Sequence, residues 1–134
     1  LAGKTVALLG FAFKQDTGDT RDSPAIPLCE KLLGEHANVR VHDPKALENA
    51  KIDLQEMQGN VRFVEDVYEA VDGVHAIALV TQWAEYRELD FERIYNKMVK
   101  PAFIFDGRNH LEHEKLFEIG FNVFPLGKPP LKHV

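Results

Sequence analysis

The sequence has little cysteine and no long apolar run. Cys29 is the single cysteine among the 134 residues, so an internal disulfide is impossible and nothing requires an oxidising compartment. No apolar run approaches the roughly 18 residues that a membrane-spanning helix needs. The opening residues Leu-Ala-Gly-Lys do not resemble a signal sequence. We therefore expect a cytoplasmic protein with no membrane partner.

Positive charge is also scarce. The sequence has 16 lysines and arginines against 21 aspartates and glutamates, which gives a formal net charge of −5. A broad nucleic-acid-binding surface needs a basic face, so this balance argues against a nucleic-acid partner. It leaves room for a local basic pocket that binds a small phosphate ligand.

Short apolar runs alternate with segments of helical period, and residues 45–60 carry only weak signals. The pattern predicts helices at 24–33, 66–71, 90–98 and 112–119, and strands at 5–9, 39–42, 61–64, 76–80, 102–105 and 122–124. This alternation is typical of an α/β fold. We predict a Rossmann-like, doubly wound, mostly parallel six-stranded sheet of order 3-2-1-4-5-6, with helices on both faces. Residues 1–126 should form the domain and 127–134 a C-terminal tail, and we expect the chain to be a domain of a longer protein.

The connection after the first predicted strand is long and charged. Residues 10–23 read Gly-Phe-Ala-Phe-Lys-Gln-Asp-Thr-Gly-Asp-Thr-Arg-Asp-Ser, about twice the usual two to six residues. Such a loop at the carboxyl end of a strand is where α/β folds bind ligands, and its charges point to an anion. It is not the dinucleotide fingerprint G-x-G-x-x-G, because Phe11, Ala12 and Phe13 follow Gly10. The sheet therefore binds either nothing or a different ligand in its crevice.

Four side chains are candidates for binding that ligand. Lys14 is the natural phosphate contact, and Phe13 is suited to stack on a base or sugar. Arg21 stands just before a helix N-terminus, where the helix dipole disfavours a cation unless an anion joins them. Arg108 follows a buried strand and is placed to bind a phosphate or ribose if the strand order holds. The alternatives stay open: a solvated lysine over a core phenylalanine, an ion pair of Arg21 with a neighbouring aspartate, and a turn with a solvated arginine.

Other reactive or aromatic side chains are better explained by structure. Trp83 follows a strand near the crevice, where tryptophan is typically a packing residue. Cys29 lies inside the first predicted helix and reads as a small buried hydrophobe. His110 and His113 have helical spacing but no evident third ligand, so we expect no metal site. The sequence indicates no catalytic residue.

Four segments together resemble a known family. Residues 10–24 are similar to the opening of the C-terminal domain of the UDP-glucose 6-dehydrogenases. Val41-His42-Asp43-Pro44, Thr81-Gln82-Trp83 and Phe103-Ile104-Phe105-Asp106-Gly107-Arg108-Asn109 agree with that family in order and spacing. Gln82 and Asp22 depart from it, since glutamate is common at both positions. The resemblance implies an NAD-dependent enzyme that oxidises UDP-glucose to UDP-glucuronate with two NAD⁺.

The same resemblance implies roles for particular residues. Phe13, Lys14 and Arg108 would contact UDP-glucose, and Arg21 would reach an NAD phosphate. The family's nucleophilic cysteine and NAD fingerprint belong to motifs that this sequence lacks. The chain alone should therefore be inactive, with NAD bound mainly by an N-terminal domain of a full-length enzyme that is a homo-oligomer. Two alternatives remain: the same domain of a GDP-mannose or UDP-N-acetylhexosamine dehydrogenase, and a stand-alone nucleotide-binding regulatory module.

Overall fold

Residues 3–12, 23–55 and 59–133 are described by a computed structural model. They form a six-stranded sheet of order β3-β2-β1-β4-β5-β6, in which each pairing between neighbours is parallel. The strands are β1 (Thr5–Leu9), β2 (Asn38–His42), β3 (Asn60–Phe63), β4 (Ala76–Leu79), β5 (Phe103–Asp106) and β6 (Asn122–Pro125). The predicted strand order and fold class are confirmed.

Helices cover both faces of this sheet, as predicted. They are α1 (Ala25–Gly34), α2 (Leu47–Leu54), α3 (Val67–Ala70), a 3₁₀ helix (Ala84–Glu88), α4 (Phe91–Lys97) and α5 (His113–Ile119). Helices α1 and α2 pack in one core cluster with Val6 and Leu8 of β1. The 3₁₀ helix, α4 and α5 pack in a second cluster with Ala7 and Leu9. Strand β1 is therefore buried on both faces, which explains why it reads as a continuous apolar run.

Three helices begin beside a polar side chain that accepts a hydrogen bond from the first turn. The Ser23 hydroxyl accepts from the amide of Ala25 at 3.1 Å. The carboxylates of Asp66 and Asp90 accept from the amides two and three residues further on, at 3.0 and 3.1 Å. Each bond satisfies an amide that has no partner within its helix, which fixes where the helix starts.

Helix α1 ends just before a residue with a left-handed backbone. This residue is His36, with φ of 65°. The amide of Ala37 donates to the carbonyl of Leu32 at 3.1 Å, and the amide of His36 to that of Leu33 at 3.0 Å. This is a Schellman ending, in which the left-handed residue follows the last turn.

Helix α2 lies in the segment where the sequence carries only weak signals. Within it, Ala50 and Leu54 are buried in the core, at 0% and 4% exposure, and the partly buried Leu47 packs against the same cluster. An apolar stripe this narrow gives little helical periodicity. The helix instead gains its start from Asp43, whose side chain binds the amides just before it.

Two peripheral features complete the fold. The rings of Phe105 and Phe124 stack at 4.9 Å between centroids, and Phe105 is 44% exposed. Near the C-terminus, Leu131 pairs with Val123 as an antiparallel bridge.

The predicted domain boundary at residue 126 stays a prediction. No helix in the described ranges is long and apolar enough to cross a membrane.

Candidate functional site

The carboxyl ends of four neighbouring strands meet at one edge of the sheet. The residues that follow them are Gly10–Ala12 after β1, Asp43 after β2, Val80–Trp83 after β4, and the Asp106–Arg108 corner at the end of β5. The strand order reverses between β1 and β4, and ligands of open α/β sheets bind at such a switch point. This edge is therefore the candidate site.

Asp43 is a buried carboxylate at the centre of this edge, with 3% exposure. Its Oδ2 accepts hydrogen bonds from the amides of Phe11 (2.7 Å) and Ala12 (2.9 Å) and from the indole N–H of Trp83 (3.1 Å). Its Oδ1 accepts from the amides of residues 45 and 46 at 2.8 and 2.9 Å. Five N–H groups thus take the place of water around the carboxylate.

The position of Asp43 also explains why this crevice differs from a dinucleotide site. In dinucleotide-binding folds, an acidic residue at the end of the second strand binds a ribose hydroxyl. Here both oxygens of that acidic side chain are occupied by N–H groups of the protein itself. This agrees with the absence of the fingerprint from the sequence after β1.

Gly10 is used to bring β4 close to β1. Its φ is +96°, and a Cβ atom there would lie 2.6 Å from the backbone nitrogen of Thr81. In the fingerprint, a glycine leaves room for a pyrophosphate; at Gly10 the room is filled by Thr81. The Thr81 hydroxyl in turn donates to the carbonyl of Ala12 at 2.8 Å.

Arg108 lies at the same edge, where strand order places it. Its Nε donates to the carbonyl of Val80 at 2.9 Å, so the guanidinium is held at the end of β4, the neighbour of β1. The corner is tight: a Cβ atom on Gly107 would lie 3.1 Å from the carbonyl of Leu79. The structure therefore brings Arg108 to the edge where the long loop begins, and its role in binding stays a prediction.

Asp106 shapes the corner that carries Arg108. It is fully buried, and its carboxylate accepts from the amides of Arg108 (3.1 Å) and Leu111 (2.8 Å) and lies 2.7 Å from Nε2 of His113. Burial alone would raise the pKa of Asp106, but the bonds from Leu111, His113 and neighbouring amides outweigh it and lower that pKa. The corner is thus built around an ionised carboxylate.

The other three predicted site residues, Phe13, Lys14 and Arg21, lie outside the described residues. Their roles in binding stay predictions. In the ranges 3–12, 23–55 and 59–133, no three histidine, cysteine, aspartate or glutamate side chains are grouped so that they could hold a metal ion.

A family model decides where the chain belongs. The model of the UDP-glucose/GDP-mannose dehydrogenase family, UDP binding domain, matches residues 7–113. The chain belongs to this family.

Individual members of the dehydrogenase family give the same result. UDP-glucose 6-dehydrogenase 1 of Oryza sativa subsp. japonica is 46% identical over 147 residues, covering 96% of this chain and 31% of that protein. Among solved structures, a UDP-glucose dehydrogenase from Pyrobaculum islandicum superposes with a TM-score of 0.71 at 31% identity, over 90% of this chain and 26% of its own. The NDP-N-acetyl-D-galactosaminuronic acid dehydrogenase from Methanosarcina mazei Go1 gives 0.79 at 28% identity, over 95% and 25%. The chain spans less than a third of the length of these relatives.

The sequence alone does not reveal the roles of two polar residues at this edge. The sequence marks Asp43 and Thr81 only as members of motifs, yet both bind the backbone after β1. Trp83 packs as predicted, at 4% exposure, and also donates to Asp43. Cys29 is fully buried, as predicted, and burial raises the pKa of its thiol to about 11. The signal that could have revealed Asp43 is its position at the end of the second strand.

Proposed function

We propose that this chain is the part of a UDP-glucose 6-dehydrogenase that binds and orients the nucleotide half of the substrate. The whole enzyme would oxidise the C6 alcohol of UDP-glucose to the carboxylate of UDP-glucuronate and reduce two NAD⁺. The observation that carries the proposal is the position of Arg108: it stands at the switch-point edge, beside the start of the long charged loop, in a chain matched by a UDP binding domain.

The chemistry of this edge suits a diphosphate. The guanidinium of Arg108 offers N–H donors in a planar fork that matches phosphate oxygens. We assign Lys14 as a second cation on the diphosphate and Phe13 as a contact of the nucleotide sugar. A diphosphate held on a rigid sheet edge fixes the distant C6 carbon against the nicotinamide, which lowers the entropic cost of reaching the transition state.

We assign NAD binding mainly to a region of the enzyme that this chain does not match. The sequence has no dinucleotide fingerprint after β1, and the acidic side chain at the end of β2 is occupied by protein donors. From this chain, Arg21 is proposed to reach an NAD phosphate. Oxidation of UDP-glucose by the chain alone in the presence of NAD⁺ would contradict this division of labour.

Sequence similarity supports UDP-glucose as the sugar nucleotide. The rice relative named for UDP-glucose is 46% identical to the chain, whereas the Methanosarcina mazei enzyme named for an acetylated sugar is 28% identical. The runner-up is the same domain in a dehydrogenase of GDP-mannose or of a UDP-N-acetylhexosamine.

Calorimetric titration of the chain with UDP, UDP-glucose, UDP-N-acetylglucosamine and GDP-mannose tests the proposal. We expect UDP and UDP-glucose to bind, and GDP-mannose to bind more weakly, because the base is read as well as the diphosphate. Tighter binding of GDP-mannose would assign the chain to the other branch of the family. The absence of heat with every one of these compounds at two temperatures would reject nucleotide binding, because a binding enthalpy that is near zero at one temperature changes with temperature.

A further inference from the structure

The backbone of Ala12 is held on both sides by side chains from other strands. Its amide donates to Oδ2 of Asp43 at 2.9 Å, and its carbonyl accepts from the hydroxyl of Thr81 at 2.8 Å. Ala12 and Thr81 are both fully buried, and Asp43 is 3% exposed. Ala12 comes three residues after the end of β1 at Leu9, so these bonds act on the first part of the long connection that follows this strand.

We propose that Asp43 and Thr81 are positioning residues for nucleotide binding, because together they fix the direction in which the chain leaves β1. The proposal rests on the nucleotide-binding function proposed above. Neither side chain needs to touch the ligand. Each acts through the backbone of Ala12, and we call this arrangement of Asp43, Thr81 and Ala12 the Ala12 anchor.

The physical basis is preorganisation. A bond to the amide and a bond to the carbonyl of one residue fix the two peptide planes on either side of its Cα, and so fix its φ and ψ. Ordering a backbone residue costs conformational entropy, and a loop base that is already ordered does not incur that cost when a ligand binds. The Ala12 anchor would therefore raise affinity without adding a ligand contact.

The same bonds also tie the loop base to Arg108. Thr81 follows Val80 directly in the chain, and the carbonyl of Val80 accepts from Nε of Arg108. Thr81 thus holds Ala12, which follows β1, and Val80 holds Arg108, which follows β5. Asp43 also binds the segment after β4, because its Oδ2 accepts from the indole N–H of Trp83 at 3.1 Å. The positions of Ala12 and Arg108 are therefore both fixed relative to the end of β4.

Two substitutions remove the anchor, one from each side. Asp43→Asn replaces a carboxylate oxygen with an NH₂ group, so at least two of the five N–H donors meet another donor. Thr81→Val keeps the branched shape and removes the hydroxyl that binds Ala12. We expect Asp43→Asn to weaken UDP binding about tenfold and Thr81→Val by roughly threefold to tenfold, measured by calorimetry. The loss should appear as a less favourable binding entropy, with faster hydrogen exchange at the Ala12 amide.

A stability-matched control separates positioning from general destabilisation. Leu33→Ala removes a buried side chain from the core cluster around α1, near Gly59 and away from the carboxyl edge. It should lower the stability of the fold while leaving the affinity for UDP unchanged at temperatures where the variant is folded. UDP affinity equal to wild type in Thr81→Val, or an equal loss in Leu33→Ala, would overturn the proposal. Thr81→Val decides the question alone where Asp43→Asn does not fold. Failure of the unsubstituted chain to bind UDP would instead reject the proposed function, and the positioning role with it.

Discussion

The imidazole of His42 and the phenol of Tyr86 meet inside the fold, with 2.9 Å between Nδ1 and the hydroxyl oxygen. The same hydroxyl donates to the carbonyl of His42 at 3.2 Å. Both residues are buried, at 4% and 0% exposure. The pair joins the end of β2 to the 3₁₀ helix that follows β4, so it braces two of the strand ends that form the candidate site.

Tyr86→Phe should therefore destabilise the fold. Removal of the hydroxyl leaves a buried ring nitrogen of His42 without this partner, which costs about 1–3 kcal/mol in the free energy of unfolding. Urea unfolding monitored by circular dichroism measures the change. Tyr95→Phe is the matched control, because the Tyr95 hydroxyl makes no hydrogen bond within the described residues. Equal effects from the two substitutions would contradict the role of the His42–Tyr86 pair.

The stability of the fold should also depend on pH through His42. Burial lowers the pKa of this histidine despite the opposing effect of nearby carboxylates, so the native state binds its proton less readily than the unfolded state. Because the unfolded chain then binds more protons, the free energy of unfolding falls as the pH drops below about 6.5, the ordinary pKa of histidine. His42→Gln removes this contribution. Urea unfolding between about pH 7.5 and pH 5 should show a smaller loss of unfolding free energy in the variant than in the unsubstituted chain. An identical loss would argue against a contribution from His42.

Two glycines with left-handed backbones should respond differently to alanine. Gly73 has φ of +74°, and a Cβ atom there would have no other atom within 4 Å, so Gly73→Ala carries only the backbone strain, about 1 kcal/mol. Gly10 has φ of +96° and the backbone of Thr81 within 2.6 Å of the added carbon. Gly10→Ala should cost about 1–3 kcal/mol more, because β4 must move away from β1. Thermal unfolding of the two variants side by side measures the difference, and equal costs would mean that the close approach of Thr81 is unimportant.

Among the residues that the structure describes, Arg108 is the one whose side chain we expect to affect UDP affinity most directly. Arg108→Ala should weaken binding of UDP by about 1–3 kcal/mol, as expected for a charge-assisted hydrogen bond. Arg108→Lys should restore only part of the loss, since lysine lacks the planar fork. Arg62→Ala, at an exposed arginine of the edge strand β3, removes the same charge and should leave affinity unchanged. Calorimetry compares the three, and wild-type affinity in Arg108→Ala would remove this residue from the site.

The sheet is predictable from the sequence because a parallel strand that is buried on both faces is a continuous apolar run in the sequence. The runs at β1, at β4 and at the first three residues of β5 are apolar, and the strand order then places Arg108 at the edge where β1 and β4 end. No local sequence pattern of this kind indicates the role of Asp43. Its partners Phe11, Ala12 and Trp83 lie 32, 31 and 40 positions away in the chain, so their meeting depends on the finished fold. Helix α2 escapes prediction for a related reason, since contacts with the rest of the fold, rather than its own periodicity, stabilise it.

The indole of Trp83 gives this chain a built-in optical reporter. It is the single tryptophan of the sequence, it is nearly inaccessible to solvent, and its N–H group is bonded to the Asp43 carboxylate. Its emission spectrum therefore comes from one place, the edge where four strands end. Any event that loosens or tightens that edge can be followed by fluorescence without attaching a dye.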